Sequence, residues 1–312
     1  MEEWKFIYDS FKARLKFFLR NQRYRMRCNL GHVKVKDTLF FVFEPKVKHP
    51  GIADRLKAII SLYNICKKNN YYFKLFFETP FRLSDYLEPV VDWETDIKEL
   101  EYSFLDTKFV SEQNWKPIRH LKRGKQYHCY CYAGNNMPRV FDDTGYKWCD
   151  LFHELFRPSK ELEEAYMVLN LPARSYISVH LRFVNALEHF ENTFFDNHLK
   201  TQEERDCLIA RCKKGICELQ EENMGIDIYV FSDSKVFLGR LNDMTVKVLK
   251  YDDVGHTSDG GHSSHLKAFL DLYVMSRSKK VYRMEAPELY NWSEYAKLAA
   301  TIGDVPFMTK KI

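Results

Sequence analysis

The sequence predicts an α/β protein built on parallel sheets, and three observations carry that reading. In residues 171–312 short apolar runs alternate with amphipathic helices, the rhythm of a parallel sheet with helices on both faces. Residues 38–77 read strand, glycine-containing loop, helix, strand, which is a βαβ unit. The length, 312 residues, exceeds the usual single domain, so two domains of ordinary size, or one with a large insert, are expected.

Taken in order, residues 1–27 place Trp4, Ile7, Phe11, Leu15, Phe18 and Leu19 at helical spacing with basic residues between them, a basic amphipathic helix. Eight basic residues stand here against Glu2, Glu3 and Asp9, an excess equal to the formal net charge of the whole chain, +5. The remainder is close to neutral, which argues against a nucleic-acid binder with a basic face. Such a helix can lie on an anionic membrane surface, and a terminal helix packed on its own domain has the same pattern. Residues 38–43, T-L-F-F-V-F, read as a buried strand. A turn-rich loop over 44–54 follows, then a helix with Leu56, Ile59, Ile60, Tyr63 and Cys66 on one face and a second strand over 71–77.

Residues 79–146 are irregular, with a strand expected only at 126–132; Trp93, Trp115, Tyr127 and Trp148 are either core or platforms for sugar rings. Residues 146–172 connect the halves. The expected division is a basic segment over 1–28 and domains over 29–170 and 171–312. In the second, a strand from Tyr176 is followed by a helix over 202–223, a strand over 227–231, a short helix after Ser234 and a strand over 245–249. A helix with Leu266, Phe269, Leu270 and Tyr273 on one face, a strand over 280–283 and a last helix from about Trp292 complete it.

Eight cysteines without zinc-finger spacing read as reduced thiols of a cytosolic protein. No apolar run of about 18 residues occurs, so a soluble or peripheral protein is expected.

The residues that invite chemistry lie at strand ends. The strand Tyr176, Ile177, Val179 closes on His180 and Arg182, two polar groups at i and i+2 that point the same way. Open α/β sheets bind ligands at that end. An Arg fork clamps a diphosphate, and Glu188 or Glu191 beyond it could take a proton from an acceptor hydroxyl; pairing of Arg182 with a neighbouring acid is the structural alternative. Ser232-Asp233-Ser234 could hold a ribose or base edge, or cap a helix. In G-H-T-S-D-G-G-H-S-S-H, residues 255–265, no third ligand joins His262 and His265 on one helical face, so a helix N-terminus capped by Ser263 or Ser264 suits an anion better than a metal. Asn291-Trp-Ser293-Glu-Tyr295 opens the last helix. No G-x-G-x-x-G or P-loop is present.

Together these pieces resemble the GDP-fucose-using fucosyltransferases of the α-1,2, α-1,6 and protein O-fucosyl superfamily. H-P-G-I-A-D-R-L-K-A-I-I-S-L at 49–62 is similar to that family's early loop and helix, S-V-H-L-R-F-V-N to its His-x-Arg-x-x-Asp motif with Asn185 in place of Asp, and Y-V-F-S-D-S to its second motif. H-L-K-A-F-L-D-L-Y-V-M-S-R-S-K-K-V-Y-R with N-W-S-E-Y-A resembles the third. The resemblance implies a GT-B type fold, two Rossmann-like domains facing a cleft, the first for the acceptor and the second for the donor. It implies an inverting, metal-independent transfer of fucose from GDP-fucose to a glycan, without a cofactor, in surface-polysaccharide synthesis, and the basic amino-terminal helix suggests cytoplasmic work at the inner membrane face on a lipid-linked glycan. Arg182 would bind the diphosphate, His180 would support the Arg or the nucleotide, and Asp233 would contact the guanosine, with Ser232 beside it in the donor-binding set. Ser293 and Tyr295 would contact the phosphates, Gly51 and Arg55 would come from the first domain's loop, and Glu188 and Glu191 lie near the family's base position; Ser263 and Ser264, at the helix start suited to an anion, join the donor-binding set. The alternatives are the same fold with another nucleotide sugar, or a non-catalytic glycan-binding or scaffold protein.

Overall fold

The computed structural model describes residues 2–44, 49–112, 114–132, 145–188, 195, 197–249 and 261–312; of residues 2–11 and 13 only the backbone is described. The chain forms two compact units: Met1–Pro50, Asp54–Ser84 and Pro89–Phe156 make the first, and Gly51–Ala53, Asp85–Glu88 and Arg157–Ile312 the second. The change-over thus falls at 156–157, ahead of residue 170, because the helix over 160–168 packs on the helix over 262–276 in the second unit.

The first unit opens with α1 (Glu2–Arg27), β1 (Thr38–Val42), α2 (Ile52–Asn69) and β2 (Tyr72–Phe76). The stretch read as irregular, 79–146, contains β3 (Leu87–Pro89), β4 (Thr107–Val110) and β5 (Gln126–Cys129), and the connecting segment after it begins with α3 (Trp148–Leu155) and β6 (Phe156–Pro158). Strands β2-β1-β5-β4 form one sheet, parallel throughout, and β3 pairs with β6 in a small sheet of two. β1 is buried along its whole length, as its unbroken apolar run requires of a central parallel strand. Trp93 and Tyr127 are buried in this core, which removes them as sugar platforms.

α1 is fastened to this sheet by its inner face. Phe17 stacks on Phe109 at 6.3 Å, Arg20 pairs with Glu44 at 2.6 Å, and the Tyr24 hydroxyl lies 2.9 Å from Nδ1 of His128. Nε2 of buried His128 lies 2.6 Å from Oε1 of Gln126, an acceptor, so the proton sits on Nε2 and Tyr24 donates to Nδ1.

The second unit runs α4 (Lys160–Val168), β7 (Tyr176–Leu181), α5 (Gln202–Glu222), β8 (Asp227–Ser232), α6 (Lys235–Gly239), β9 (Lys247–Val248), α7 (His262–Ser276), β10 (Lys280–Glu285), α8 (Tyr295–Gly303) and β11 (Phe307–Lys311). Its sheet, β11-β10-β7-β8-β9, is parallel throughout. Ser159, Thr201 and Ser234 cap α4, α5 and α6 through their side chains, and Thr201 with Glu204 forms a capping box. α7 departs from the expected cap: it begins at His262 after Gly261, and Ser264 turns its hydroxyl back to the Gly261 carbonyl at 2.9 Å.

β7 is central and has two unlike faces. Ile177, Val179 and Leu181 join Leu208, Cys212, Ile216 and Leu219 of α5 in the apolar core, each large side chain contributing about 1.5–3 kcal/mol by burial. The alternate residues, Tyr176, Ser178 and His180, form a buried polar row, in which Tyr176 donates to the Val274 carbonyl of α7 at 2.7 Å. After β7 the chain adds β8 and β9 on one side, then crosses to add β10 on the other. The topological switch point therefore lies between β7 and β10, where parallel α/β sheets bind their ligands. The pair of parallel sheets is the α/β fold expected from the sequence.

Tyr24→Phe leaves a buried acceptor on His128 without its donor and should cost about 1–3 kcal/mol, read as a lower urea midpoint with an unchanged slope.

Candidate functional site

The turn that leaves β7 is held from three directions. Asp233, immediately after β8, receives the backbone N–H groups of Phe183 and Val184, each at 2.8 Å, on its two carboxylate oxygens. Tyr290, past β10, donates its N–H to the Arg182 carbonyl at 2.9 Å, and Asn197 bridges the carbonyls of Phe183 and Glu288 at 2.6 and 2.9 Å. This bracing coincides with backbone strain: Val184 has φ of +56°, a conformation that β-branched residues rarely adopt.

Arg182 rides on this turn. Its Nη1 lies 3.3 Å from Oδ2 of Asp233, and the guanidinium keeps a fifth of its surface open while the carboxylate is buried. Ser232 also belongs to this knot: its hydroxyl accepts from Ser234 N–H at 3.1 Å and lies 3.5 Å from Oδ1 of Asp233.

Two further ion pairs stand close by, neither singled out from the sequence. Lys267 and Asp271, one turn apart on α7, are buried and paired. Arg283 on β10 pairs with Glu285 at 2.5 Å and donates to the Ser293 carbonyl at 2.9 Å, which fixes the start of the approach to α8. Both were legible only as charges on otherwise apolar faces: Lys267 and Asp271 sit within H-L-K-A-F-L-D-L, and Arg283 and Glu285 alternate with Tyr282 and Met284.

His180 lies among these cations. Burial, reinforced by Arg182, Lys267 and Arg283, pushes its imidazole down to about 3, so it is neutral at physiological pH. Its ring is 5.5 Å from that of Tyr295, and its Nδ1 is buried with no hydrogen-bond partner among the described residues. A buried nitrogen in that condition is uncommon in a folded protein. Tyr295 donates its hydroxyl to the Ala268 carbonyl, and burial pushes its phenol far above the ordinary value.

The structure thus gathers His180, Arg182, Ser232, Asp233, Ser293 and Tyr295 at the strand ends that border the switch point. Glu188 reaches the start of α6, where Oε1 accepts from Ser234 Oγ at 2.7 Å and Val236 N–H at 3.3 Å. Glu191 lies outside the described residues. Ser263 is exposed on the first turn of α7, and Ser264 is buried beside it. His262 is occupied by Tyr86 at 3.0 Å and Glu161 at 2.8 Å; among the described residues no group of three or more metal-ligating side chains gathers. Gly51 immediately precedes α2, and Arg55 is buried in α2, donating to the carbonyls of Pro50 at 2.7 Å and Thr79 at 3.4 Å, with Phe77 beneath it. Past β10, Trp292 is 72% exposed, edge-on to Tyr290 and Phe195 at 6.0 Å each.

The sequence matches no protein-family model and none of the curated proteins. The fold matches solved structures. The fucosyltransferase NodZ from Bradyrhizobium superposes with a TM-score of 0.56 at 12% identity, over 86% of this chain and 92% of that one. NodZ α-1,6-fucosyltransferase soaked with GDP-fucose gives 0.54 at 12% identity, over 85% and 92%. A mutant of Arabidopsis thaliana FUT1 in complex with GDP gives 0.54 at 9% identity, over 96% of this chain and 74% of that one. The chain has the fold of these proteins.

Asp233→Ala strands two backbone donors beneath a strained turn and should cost about 3 kcal/mol, measured by chemical unfolding. For His180 and His128, both pushed down to about 3 by burial, the unfolded chain binds more protons between pH 3 and 6.5. Stability is therefore present above pH 6.5 and falls as pH drops through that window, and replacing His128 by Gln should flatten the fall in melting temperature.

Proposed function

We propose that the protein is a fucosyltransferase that moves fucose from GDP-fucose to the hydroxyl of a glycan. The observation that carries the reading is the Arg182 guanidinium, fixed by Asp233 and partly open at the switch point of a parallel sheet. The fold shared with NodZ, co-crystallised with GDP and soaked with GDP-fucose, supports the choice of donor.

In this mechanism the acceptor hydroxyl attacks the anomeric carbon as GDP departs from the opposite face, inverting the linkage. Negative charge grows on the bridging and terminal phosphate oxygens of the leaving group. Arg182 meets that charge with a planar fork already held in place, so little reorganisation is needed and no metal has to supply the positive charge. His180, neutral and with an unpartnered nitrogen, offers a hydrogen bond rather than a fourth cation. Ser232 and Asp233 position the clamp, Asp233 chiefly through the turn it braces, while Ser293 and Tyr295 bring the start of α8 to the phosphates, with Ser263 and Ser264 on the first turn of α7. Glu188 and Glu191 are the candidate bases for the acceptor proton. The exposed ring of Trp292 offers a face of the kind on which a sugar of the acceptor stacks. A lipid-linked surface glycan fits this reading as acceptor.

Two measurements test it. In a thermal-shift panel of GDP-, UDP- and dTDP-sugars, run with and without EDTA, GDP-fucose should raise the melting temperature by mass action and EDTA should change nothing. Stabilisation by a UDP-sugar alone would move the assignment to another donor, and GDP-fucose binding without transfer to any glycan would make the chain a binding protein. Arg182→Ala should lower turnover by about a hundredfold or more, and near-normal transfer by that variant would remove the arginine from the mechanism.

A further inference from the structure

A basic amphipathic helix can lie on a membrane surface or pack on its own domain, and among the described residues the packing contacts of α1 come from its inner face. On an α-helix successive residues turn by about 100°. Phe17, Arg20 and Tyr24 share the side bound to the sheet of the first unit. Leu15, Phe18, Leu19 and Met26 fall on the opposite side, within an arc of about 100°, and are exposed by 47%, 55%, 47% and 85%. Among the described residues the rings and ion pair that fasten α1 to the unit all lie on the other side.

Its borders are basic on both sides. Lys12, Lys16 and Arg23 line one flank and Arg14 and Arg25 the other, and residues 12–27 contain no Asp or Glu. We propose that this outer face of α1 docks on an anionic lipid bilayer, the four apolar side chains entering the headgroup–acyl boundary and the flanking cations reaching lipid phosphates. The chemistry selects this occupant over two others. A second copy packed through residues 12–27 would bring two runs of cations together with no acid in that stretch to pair them. A nucleic-acid backbone would meet an apolar ridge where it needs charge. The proposal is independent of the donor reading: a chain that binds no GDP-sugar would still present this face.

The test is co-sedimentation of the full chain with vesicles of phosphatidylcholine containing about one third phosphatidylglycerol, beside vesicles of phosphatidylcholine alone. Binding is expected to the anionic vesicles, weakening as salt rises. Lys16→Glu with Arg23→Glu should lower affinity by about tenfold or more. Leu15→Ser, Phe18→Ser and Leu19→Ser together should abolish it; because all three side chains point outward, the far-ultraviolet circular dichroism and unfolding midpoint should hold, separating lost docking from lost fold. Phe18→Trp should shift its emission to the blue on adding anionic vesicles. Equal binding to both vesicle types, or full binding by the triple variant, would overturn the proposal. So would a dimer that the triple variant dissolves, which would assign the ridge to a second copy.

Discussion

The second unit's candidate site depends on one buried carboxylate. Asp233 stands beside the end of β7 because β7 and β8 run parallel with Leu181 opposite Ser232, so the next residue of each strand meets across the sheet edge. There it receives two backbone donors that have no ladder partner, holds Val184 in a left-handed conformation and turns Arg182 to face it. The strain at Val184 and the two unpaired donors would each oppose this turn in isolation. One ionised group offsets both, and the orientation of the guanidinium follows from it.

The charges around the switch point come in pairs, Arg182 with Asp233, Lys267 with Asp271 and Arg283 with Glu285. Such pairing is what makes burial of Lys267 tolerable, since an isolated ammonium would shed its proton or draw in water. It also explains the neutral His180: an added positive charge among three cations in a water-poor setting is disfavoured by burial and by each neighbour. The result is a rigid polar patch of low net charge whose cations are already oriented.

Much of this was legible in the sequence, and the reasons for the misses are physical. β1 announces itself as an unbroken apolar run, as a central parallel strand buried on both faces does, and β7 and β8 by β-branched and aromatic residues that close on polar strand ends. β11 escaped notice because it is an edge strand with mostly exposed residues, and β3 and β6 because three residues are too short to show a period. His180, Arg182 and Asp233 were found from their place after apolar runs, but the bond from Asp233 to the backbone of 183–184 was not. That contact joins residues about 50 apart and exists only once strand order is known. The polar pairs on α7 and β10 were hidden by the assumption that charges lie outside, whereas burial in pairs is allowed. The tryptophans divided by packing: Trp93 went to the core and Trp292 to the surface.

The strand order has a consequence for how the molecule is made. β7 is synthesised first of its sheet, yet both of its neighbours come later: β8 begins at Asp227 and β10 at Lys280. While the chain leaves the ribosome from the N-terminus, the apolar side of β7 has only α5 to cover it at first, and its ladder groups stay wet. The switch point cannot close until residues 280–295 have emerged and slid in beside a strand made a hundred residues earlier. A truncated product ending before β10 would carry a bare central strand edge, the kind of surface that chaperones hold and proteases find.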